Sequence, residues 1–199
     1  ELLWWFHGIG VPVAEVYGQT EDCGPTTINP PGHIRVGTVG LPLPGLELRI
    51  ADDGEILVRS KTVCAGHYHD PAQTRDLIDE EGWMHSGDLG HVATDGYVLV
   101  TGRKKDLIIT SSGKNIAPQE LETRLRSQPL ISQAVVIGDG RSHLTALLAL
   151  DSESTSHWAE LHGKVGGFEA LRDDPDLRAE VADSVAMVNE GHSPIEQIK

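Results

Sequence analysis

The stretch that most constrains the fold of this chain covers residues 101–122 and reads TGRKKDLIITSSGKNIAPQELE. Residues 107–110 are apolar or β-branched and predict a strand. Residues 111–113 (SSG) predict a turn, because glycine adopts positive φ without steric cost. Pro118 suits the first turn of a helix, where its missing N–H is not needed. The stretch therefore predicts a strand, a turn and a helix in close succession.

The predicted helix has two distinct sides. Leu121 and Leu125 are four residues apart and share an apolar face. On the other side, opposite charges four residues apart predict two ion pairs, Glu120 with Arg124 and Glu122 with Arg126. The helix should therefore bury its leucines against a core and keep its ion pairs in solvent.

The distribution of charge singles out the same part of the chain. The whole sequence has 16 Lys and Arg against 30 Asp and Glu, a net charge of −14. Residues 103–126 reverse this balance, with six basic and three acidic side chains. A local basic island in an acidic chain indicates a small anionic ligand, and it argues against nucleic acid, which needs a broad positive face. Residue types alone leave open a second interpretation, a solvated strand and helix with ordinary ion pairs.

Four motifs carry a resemblance to a known family. The pattern GRKKD…GKNIAPQELE at 102–122 resembles the hinge motif of the adenylate-forming superfamily, which includes acyl-CoA synthetases, luciferases and peptide-synthetase adenylation domains. The variant SSGKNIAP is most similar to long-chain fatty acyl-CoA synthetases. Three further motifs occur in the family's order, namely YGQTE at 17–21, GEI at 54–56 followed by GHY at 66–68, and SGD at 86–88. The ordered set covers essentially the whole chain.

The resemblance implies an α+β fold in two parts. Residues 1–104 correspond to the end of a large N-terminal domain, including a small β-barrel-like subdomain. Residues 105–199 correspond to a small, mobile α+β C-terminal domain, with the hinge at Lys105. A segment of this kind lacks two parts of the family, a Gly/Ser/Thr-rich phosphate loop with its lysine, expected far upstream, and a C-terminal lysine motif, expected downstream. The chain is therefore expected to be a fragment that is inactive alone.

Local patterns predict the individual elements. For residues 1–104 they predict a helix end at 2–9, a strand at 11–17, a loop at 29–45, strands at 46–50 and 55–59, a helix at 71–77, and a hairpin of 91–94 with 97–101. For the remainder they predict strands at 134–137 and 144–150, helices at 153–161 and 173–188, and a last helix beginning at Pro194. The mixture agrees with the α+β class.

The first candidate site follows the strand at 11–17. Tyr17 and Gly18 lead into Thr20, which offers a hydroxyl and a backbone N–H, and into Glu21, a hard oxygen ligand suited to Mg²⁺. Taken alone, such a stretch is more often an ordinary strand end. By the resemblance, Tyr17 packs on adenine, Gly18 belongs to the nucleotide-binding turn, Thr20 contacts the nucleotide phosphate, and Glu21 helps to hold Mg²⁺.

The second candidate site combines the SGD motif with the hinge stretch. A carboxylate such as Asp88 can accept hydrogen bonds from two ribose hydroxyls, and its alternative role is to cap a turn. By the resemblance, Asp88 binds the ribose and Arg103 contacts the ribose and phosphate region. Lys105 is the pivot of the domain rotation, and the loop around Gly113 lines the route of the CoA pantetheine arm.

A metal site is an alternative interpretation of four side chains, namely His67, His69, Asp70 and His85. The spacing His-x-His could place both rings on one face of a strand, but no partner cluster follows at zinc-like spacing. The sequence therefore argues against a metal site there. Cys23 and Cys64 do not make a disulfide framework, so a reducing compartment is the default.

The resemblance implies a fatty acid–CoA ligase that uses ATP, Mg²⁺ and CoA and forms an acyl-adenylate on the way to the thioester. Alternatives are another adenylate-forming ligase, for an aryl or short-chain acid or in a peptide synthetase, and a non-catalytic binding module. No run of 18 apolar residues and no signal peptide is present. We therefore expect a cytoplasmic protein, with peripheral association with the inner face of the membrane left open. The sequence does not indicate an oligomeric state.

Overall fold

The computed structural model describes residues 2–199 and divides into two compact units, Glu1–Lys105 and Asp106–Lys199. Both units mix helices with antiparallel strands, and the largest sheet curls into a half-barrel. The predicted α+β class is therefore confirmed. The interpretation of the two units as the end of a large domain and a mobile small domain stays a prediction.

The first unit begins with helix α1, Leu2–Gly8, and contains two sheets and one further helix. A three-stranded sheet has the order β1-β2-β3, with β1 at Val16–Gln19, β2 at Gly24–Ile28 and β3 at Leu41–Pro42. The half-barrel has four strands in chain order, β4 at Glu47–Ile50, β5 at Glu55–Arg59, β6 at Met84–Val92 and β7 at Val98–Arg103. Helix α2, Pro71–Leu77, lies between β5 and β6 in the chain.

The half-barrel forms because its strands carry the apolar residues of the first core. Ile56 and Val58 on β5, Met84 on β6 and Val98 on β7 are fully buried together. Their burial confirms the predicted β4–β5 and β6–β7 hairpins, although β6 begins well before residue 91. Helix α2 has the predicted bounds, with the Asp70 side chain accepting a hydrogen bond from the Gln73 N–H at 2.9 Å.

The start of the first unit differs from the prediction. The strand expected at 11–17 begins only at Val16. Val11 and Val13 instead contact helix α1, since the Val11 N–H donates to the Phe6 carbonyl at 2.9 Å and the Val13 carbonyl lies 3.0 Å from Nε2 of His7. Strand β2 was not predicted, and the predicted loop at 29–45 contains β3, which pairs with β2. The Gly and Pro residues of this segment thus predicted its turns, but they did not predict the two-residue strand β3.

The second unit begins with a short hairpin, β8 at Ile108–Ile109 and β9 at Asn115–Ile116. Helix α3, Pro118–Arg126, leads to the antiparallel pair of β10, Ile131–Ile137, and β11, Thr145–Leu150. Three helices follow, α4 at Ser152–Leu161, α5 at Phe168–Leu171 and α6 at Pro175–Asn189. All the predicted elements between 107 and 188 are therefore present, and α5 and β9 were not predicted.

The second unit has a core built on α3, as the sequence predicts. Leu121 and Leu125 are buried in one cluster with Val136 of β10 and Val188 of α6. Helix α4 begins as predicted, with the Asp151 carboxylate accepting from the Ser154 N–H at 2.8 Å. The strand, turn and helix of the hinge stretch therefore fold as one packed piece.

The predicted ion pairs along α3 are wrong. Arg124 instead contacts Nε2 of His192 at 2.9 Å, and Arg126 donates to the Thr123 hydroxyl at 3.1 Å. The Glu122 carboxylate accepts the Val136 N–H of β10 at 2.9 Å. Glu122 and Arg124 thus take tertiary partners, and Arg126 takes a neighbour in its own helix. The pairs that helix spacing favours are easily replaced, because a pair on an exposed helix face contributes only a few tenths of a kcal/mol.

The helix predicted from Pro194 is also wrong. Glu196 accepts hydrogen bonds from both the N–H and the hydroxyl of Ser193, which closes a turn. Ile198 then forms a parallel bridge with Leu144, and the Lys199 N–H donates to the Leu144 carbonyl at 2.9 Å. A turn at 194–196 and a single bridge at Ile198 therefore stand where the helix was expected. Within residues 2–199, no helix is long and apolar enough to cross a bilayer.

Candidate functional site

The Asp88 carboxylate is the centre of the candidate site in the first unit. It is 4% exposed and accepts hydrogen bonds from the Tyr17 hydroxyl at 2.8 Å and from Nε2 of Gln19 at 2.7 Å, both at Oδ2. Its other oxygen, Oδ1, lies 3.0 Å from Nε of Arg103. The carboxylate thus has two hydrogen-bond donors at one oxygen and a guanidinium beside the other. The structure thus brings together Tyr17, Asp88 and Arg103, three of the residues that the sequence singled out.

Strand register explains why Asp88 and Arg103 meet. They are direct partners in the β6–β7 ladder, with Asp88 in the middle of β6 and Arg103 at the end of β7. The Arg103 side chain is about half exposed, whereas the carboxylate is buried. The Arg103 guanidinium is therefore partly open to solvent, and the Asp88 carboxylate lies beside it. This arrangement suits a ligand that has both hydroxyl donors and a phosphate.

Tyr17 belongs to this network through its hydroxyl. Its ring is half-buried and packs against the apolar core of the half-barrel. Burial first, and then the hydrogen bond and negative charge of Asp88, raise the pKa of the Tyr17 hydroxyl, although a hydrogen bond to Ser86 opposes the shift. Tyr17 therefore stays a neutral donor to Asp88. Its predicted role in packing on adenine remains a prediction.

Gln19 was not among the predicted site residues. Besides its bond to Asp88, its amide donates to the Ser86 carbonyl at 2.9 Å, so it ties β1 to the SGD motif. Its place inside the YGQTE motif is the only sequence signal that marked it. The side chain supports the carboxylate from the strand that leads to Thr20 and Glu21.

The segment after Gln19 turns sharply. Thr20–Asp22 is a single 3₁₀ turn, and Cys23 follows with φ of 64°. Asp22 is buried and holds the turn, since its carboxylate accepts from the Gln19 N–H at 2.9 Å and from the Thr26 hydroxyl. Thr20 and Glu21 are left facing outward, with Thr20 exposed and Glu21 half-buried.

A cleft of about 820 Å³ opens beside this turn. Thr20, Glu21 and Arg103 line it, together with Gly18 and His85. Thr20 and Arg103 can donate hydrogen bonds, and Glu21 offers a carboxylate. One protein carboxylate fits Mg²⁺ that takes its remaining ligands from water and phosphate oxygens. The residues present are therefore compatible with a metal-bound nucleotide.

Gly18 lies where two backbones nearly touch. A Cβ atom at this position would be 1.8 Å from the carbonyl oxygen of Gly24 on the neighbouring strand β2. Such an approach leaves no room for any side chain, and the obstacle is backbone that cannot rotate away. Gly18 therefore has a packing role in addition to the predicted role in the nucleotide-binding turn.

We expect Gly18→Ala to destabilise the first unit by about 2–3 kcal/mol, because β1 and β2 must separate to admit the methyl group. Thermal unfolding followed by circular dichroism measures the loss. Gly8→Ala is the matched control, since a Cβ at Gly8 meets nothing within 4 Å. Equal unfolding midpoints for the two variants would contradict the packing role of Gly18.

The two lysines of the hinge motif have different environments. Nζ of Lys104 lies 2.9 Å from the buried Glu55 carboxylate and 2.6 Å from Asp53. These two hydrogen bonds raise the pKa of Lys104. Lys105 is exposed, and the boundary between the two compact units falls immediately after it. The predicted hinge residue thus stands next to a side chain that is firmly held.

In the second unit, the loop that contains Gly113 is an exposed turn between β8 and β9. Gly113 has φ of 80°, as the turn prediction requires. Lys114 leaves the loop to bind Glu196 at 2.8 Å and Ser193 at 3.2 Å. Hydrogen bonds from Lys114 and Ser193 lower the pKa of Glu196 to about 2, so the ion pair persists at neutral pH. The C-terminal end of the loop is therefore held by the contacts of Lys114 with Glu196 and Ser193.

Three of the four residues of the metal alternative have separate roles. Asp70 caps helix α2, His69 has φ of 53° in the turn before it, and His85 lies between Glu55 and Asp79 at 3.1 and 3.6 Å. Within residues 2–199, no group of three or more His, Cys, Asp or Glu side chains could hold a metal ion.

Two family models match residues of this chain. The AMP-binding enzyme model matches residues 1–68, and the AMP-binding enzyme C-terminal domain model matches residues 105–198. The chain is 44% identical over 200 residues to a putative fatty-acid–CoA ligase, fadD11, of Mycobacterium tuberculosis, covering 100% of this chain and 35% of that protein. It is 42% identical over 197 residues to the long-chain-fatty-acid–CoA ligase FadD15 of Mycobacterium bovis, covering 98% and 33%.

Solved structures agree with the sequence relatives. The o-succinylbenzoate CoA synthetase MenE of Bacillus subtilis, in complex with its acyl-adenylate intermediate OSB-AMP, matches with a TM-score of 0.75 and 26% identity over 98% of this chain and 38% of that one. The same enzyme in complex with ATP and a magnesium ion matches with a TM-score of 0.67 and 28% identity over 83% and 38%.

The two-unit α+β fold and the motif order define an adenylate-forming type of protein. The chain belongs to the AMP-binding enzyme family. It spans about a third of the length of the curated relatives that it matches.

Proposed function

We propose that this chain supplies the ribose-facing side of the nucleotide site and the mobile domain of an AMP-forming fatty acid–CoA ligase. The observation that carries the proposal is the buried Asp88 carboxylate, held by Tyr17, Gln19 and Arg103 beside a cleft that Thr20 and Glu21 line. Similarity to two mycobacterial proteins named fatty-acid–CoA ligases supports the substrate class.

In the first half-reaction, a fatty carboxylate attacks the α-phosphate of ATP, and pyrophosphate leaves as the acyl-adenylate forms. This step depends on positioning and on stabilising negative charge. Asp88 orients the nucleotide by accepting hydrogen bonds from the ribose hydroxyls. Arg103 and Thr20 face the phosphate and stabilise its charge from the cleft.

Mg²⁺, which we propose Glu21 helps to hold, neutralises phosphate charge when it is bound. The half-buried position of Glu21 at the cleft wall supports this role. The neighbouring Asp22 is not available as a ligand, because its carboxylate is committed to Thr26 and to the Gln19 N–H. We therefore propose Glu21, and not Asp22, as the metal ligand.

In the second half-reaction, the CoA thiolate attacks the acyl carbonyl, and the C–O bond to AMP breaks. A change of domain orientation about Lys105 lets one cleft serve both half-reactions. The position of Lys105 at the boundary of the two units, and at the start of the matched C-terminal domain model, supports this assignment. The loop around Gly113 then lines the path of the pantetheine arm.

A second candidate function is activation of an aryl carboxylate. It is favoured by the similarity to o-succinylbenzoate CoA synthetase, because o-succinylbenzoate is an aromatic acid. The identity is lower, 26% against 44% and 42% for the two mycobacterial relatives, so the fatty acid is our first proposal.

The test is a CoA-ligase assay on a full-length protein that contains this sequence. With ATP, Mg²⁺ and CoA, we expect thioester formation from palmitate at a rate at least tenfold above that from o-succinylbenzoate, an energy difference of about 1.4 kcal/mol. The 199-residue chain alone serves as the control and should show only background exchange of pyrophosphate into ATP. A preference for the aryl acid would replace the first candidate by the second, and exchange by the chain alone would contradict the expected fragment inactivity.

A further inference from the structure

Strand β6 contains a bulge at residues 86–88, which includes Asp88 of the candidate site. In the β5–β6 ladder, Leu57 pairs with His85 and Glu55 pairs with Leu89. One residue of β5 therefore faces three residues of β6, the SGD motif at 86–88. Gly87 at the middle of the bulge has φ of 70°, a conformation that glycine adopts without a Cβ penalty. Extra residues in a bulge leave the ladder and lose its hydrogen bonds.

Side chains supply the hydrogen bonds that the bulge loses. The Gly87 N–H donates to Oε1 of Glu55 at 2.9 Å, and the Asp88 N–H donates to the Ser86 hydroxyl at 3.1 Å. Glu55 thus reaches across from the neighbouring strand to the middle of the bulge. Without this acceptor, the backbone of the SGD motif has no contact from the β5 side that holds its N–H in place.

The second oxygen of Glu55 holds the end of β7. Oε2 lies 2.9 Å from Nζ of Lys104 and 3.1 Å from Nδ1 of His85. Glu55 is only 3% exposed, and a carboxylate so deeply buried is destabilising unless it is paired and hydrogen-bonded. Burial raises the pKa of Glu55, but the bonds from Lys104, His85 and Gly87 outweigh it and hold the pKa below its ordinary value. The side chain is therefore a charged carboxylate at neutral pH.

These contacts surround the Asp88–Arg103 pair on both strands. Gly87 directly precedes Asp88, and Lys104 directly follows Arg103. We propose that Glu55 is a positioning residue, which fixes the two backbone segments so that the Asp88 carboxylate and the Arg103 guanidinium meet before any nucleotide binds. The proposal concerns the ligand-free geometry, and its consequence for nucleotide binding rests on the proposed function.

Four variants of the 199-residue chain separate the contacts of Glu55. Glu55→Ala removes all of them, and Glu55→Gln keeps an acceptor for the Gly87 N–H but loses the charge. Lys104→Met removes only the ammonium partner. Asp53→Asn is the matched control, because Asp53 contacts the same lysine from a half-exposed position.

The readout is the amide and arginine Nε–H spectrum recorded by ¹H–¹⁵N NMR. In Glu55→Ala we expect the Gly87 amide to exchange at least tenfold faster. The signal of the Arg103 Nε–H, whose nitrogen lies 3.0 Å from Oδ1 of Asp88, should shift or weaken as this ion pair is disturbed. In Glu55→Gln and Lys104→Met, the exchange rate of the Gly87 amide should change less than threefold. The signal of the Arg103 Nε–H should still shift. Asp53→Asn should leave both signals as in the original chain.

A fold control and a ligand arm complete the experiment. The Val136 amide, bonded to Glu122 in the second unit, reports whether a variant remains folded. If Glu55→Ala does not fold, Glu55→Gln and Lys104→Met still decide the question through the Arg103 signal. Gly87 exchange and an Arg103 signal that are unchanged in every folded Glu55 variant would overturn the positioning role.

AMP titration separates this proposal from the proposed function. If the original chain binds AMP, we expect Glu55→Ala to weaken the affinity about tenfold and Asp53→Asn to leave it unchanged. If the original chain binds no AMP but the two signals respond to Glu55 as described, the positioning role stands and the nucleotide function fails for this chain. Equal AMP affinity for the original chain and Glu55→Ala, with altered signals, would overturn the link to nucleotide binding.

Discussion

Replacing Lys105 with proline in a full-length ligase that contains this chain is expected to slow thioester formation about a hundredfold, some 2.7 kcal/mol of barrier. Adenylation should be affected less. Thioester formation is measured from supplied acyl-AMP and CoA, and adenylation from fatty-acid-dependent exchange of pyrophosphate into ATP. The two half-reactions must be measured separately, since the prediction concerns their difference.

The physical reason is the position of Lys105 beside a firmly held residue, in the 3₁₀ turn Lys104–Asp106 that the unit boundary divides. Lys104 is held by Glu55 and Asp53 at the end of the first unit, whereas Lys105 is exposed and immediately precedes the unit boundary. A hinge needs one or two residues whose φ and ψ change while their neighbours stay packed. Proline fixes φ near −65° and removes the N–H, so it should hold the C-terminal domain in one orientation.

Lys105→Ala is the control, because it removes the ammonium group and leaves the backbone free. We expect it to retain most of the thioester-forming activity. If Lys105 only binds phosphate, alanine and proline will impair both half-reactions to the same degree. That result would remove the hinge from the mechanism.

Asp88→Ala is expected to weaken nucleotide binding by about 1.5–3 kcal/mol in a full-length ligase, which is the usual cost of losing a hydrogen bond to a charged group. The affinity for AMP and for acyl-AMP should fall about ten- to a hundredfold. Asp88 is buried beneath Arg103 and receives Tyr17 and Gln19, so the loss includes the preorganisation of these donors as well as the ribose contact. Isothermal titration calorimetry measures both affinities.

A ligand that lacks the ribose hydroxyls tests whether Asp88 binds those hydroxyls. The unaltered enzyme should bind AMP more tightly than 2′,3′-dideoxy-AMP, and Asp88→Ala should bind the two about equally. Tyr17→Phe is the matched control, because it removes one donor to Asp88 and keeps the ring and the carboxylate. An Asp88→Ala variant that still prefers AMP would return Asp88 to the role of a structural turn residue.

Local signals predicted most of the fold. The bounds of α2 follow from Asp70 as cap and Pro71 at the first turn, and the β4–β5 hairpin follows from alternation around a tight turn. The amphipathic helix α3 buries Leu121 and Leu125, as their spacing predicts. Elements that depend on a distant partner were missed. Strand β3 has two residues and exists because it pairs with β2. Residues 194–196 form a turn, and Ile198 then bridges to Leu144.

The site was predictable only where a motif marked it. Asp88 and Arg103 were singled out separately, and strand register supplies the reason why they meet. Gln19 and Glu55 were not assigned a role, since their partners lie far along the chain. Gln19 is 69 residues from Asp88, and Glu55 is 49 residues from Lys104. No pattern of spacing reports contacts at such separations, which depend on how β1, β5 and β6 come together.

Mapping AMP onto the 199-residue chain by ¹H–¹⁵N NMR tests the central claim most directly, that the Asp88–Arg103 pair marks a nucleotide site. We predict saturable shifts for Gly18, Thr20, Gly87, Asp88 and Arg103 at millimolar AMP, and much smaller shifts with 2′,3′-dideoxy-AMP. A folded chain whose spectrum shows no saturable change at these residues, or changes only in residues outside the cleft, would contradict the account.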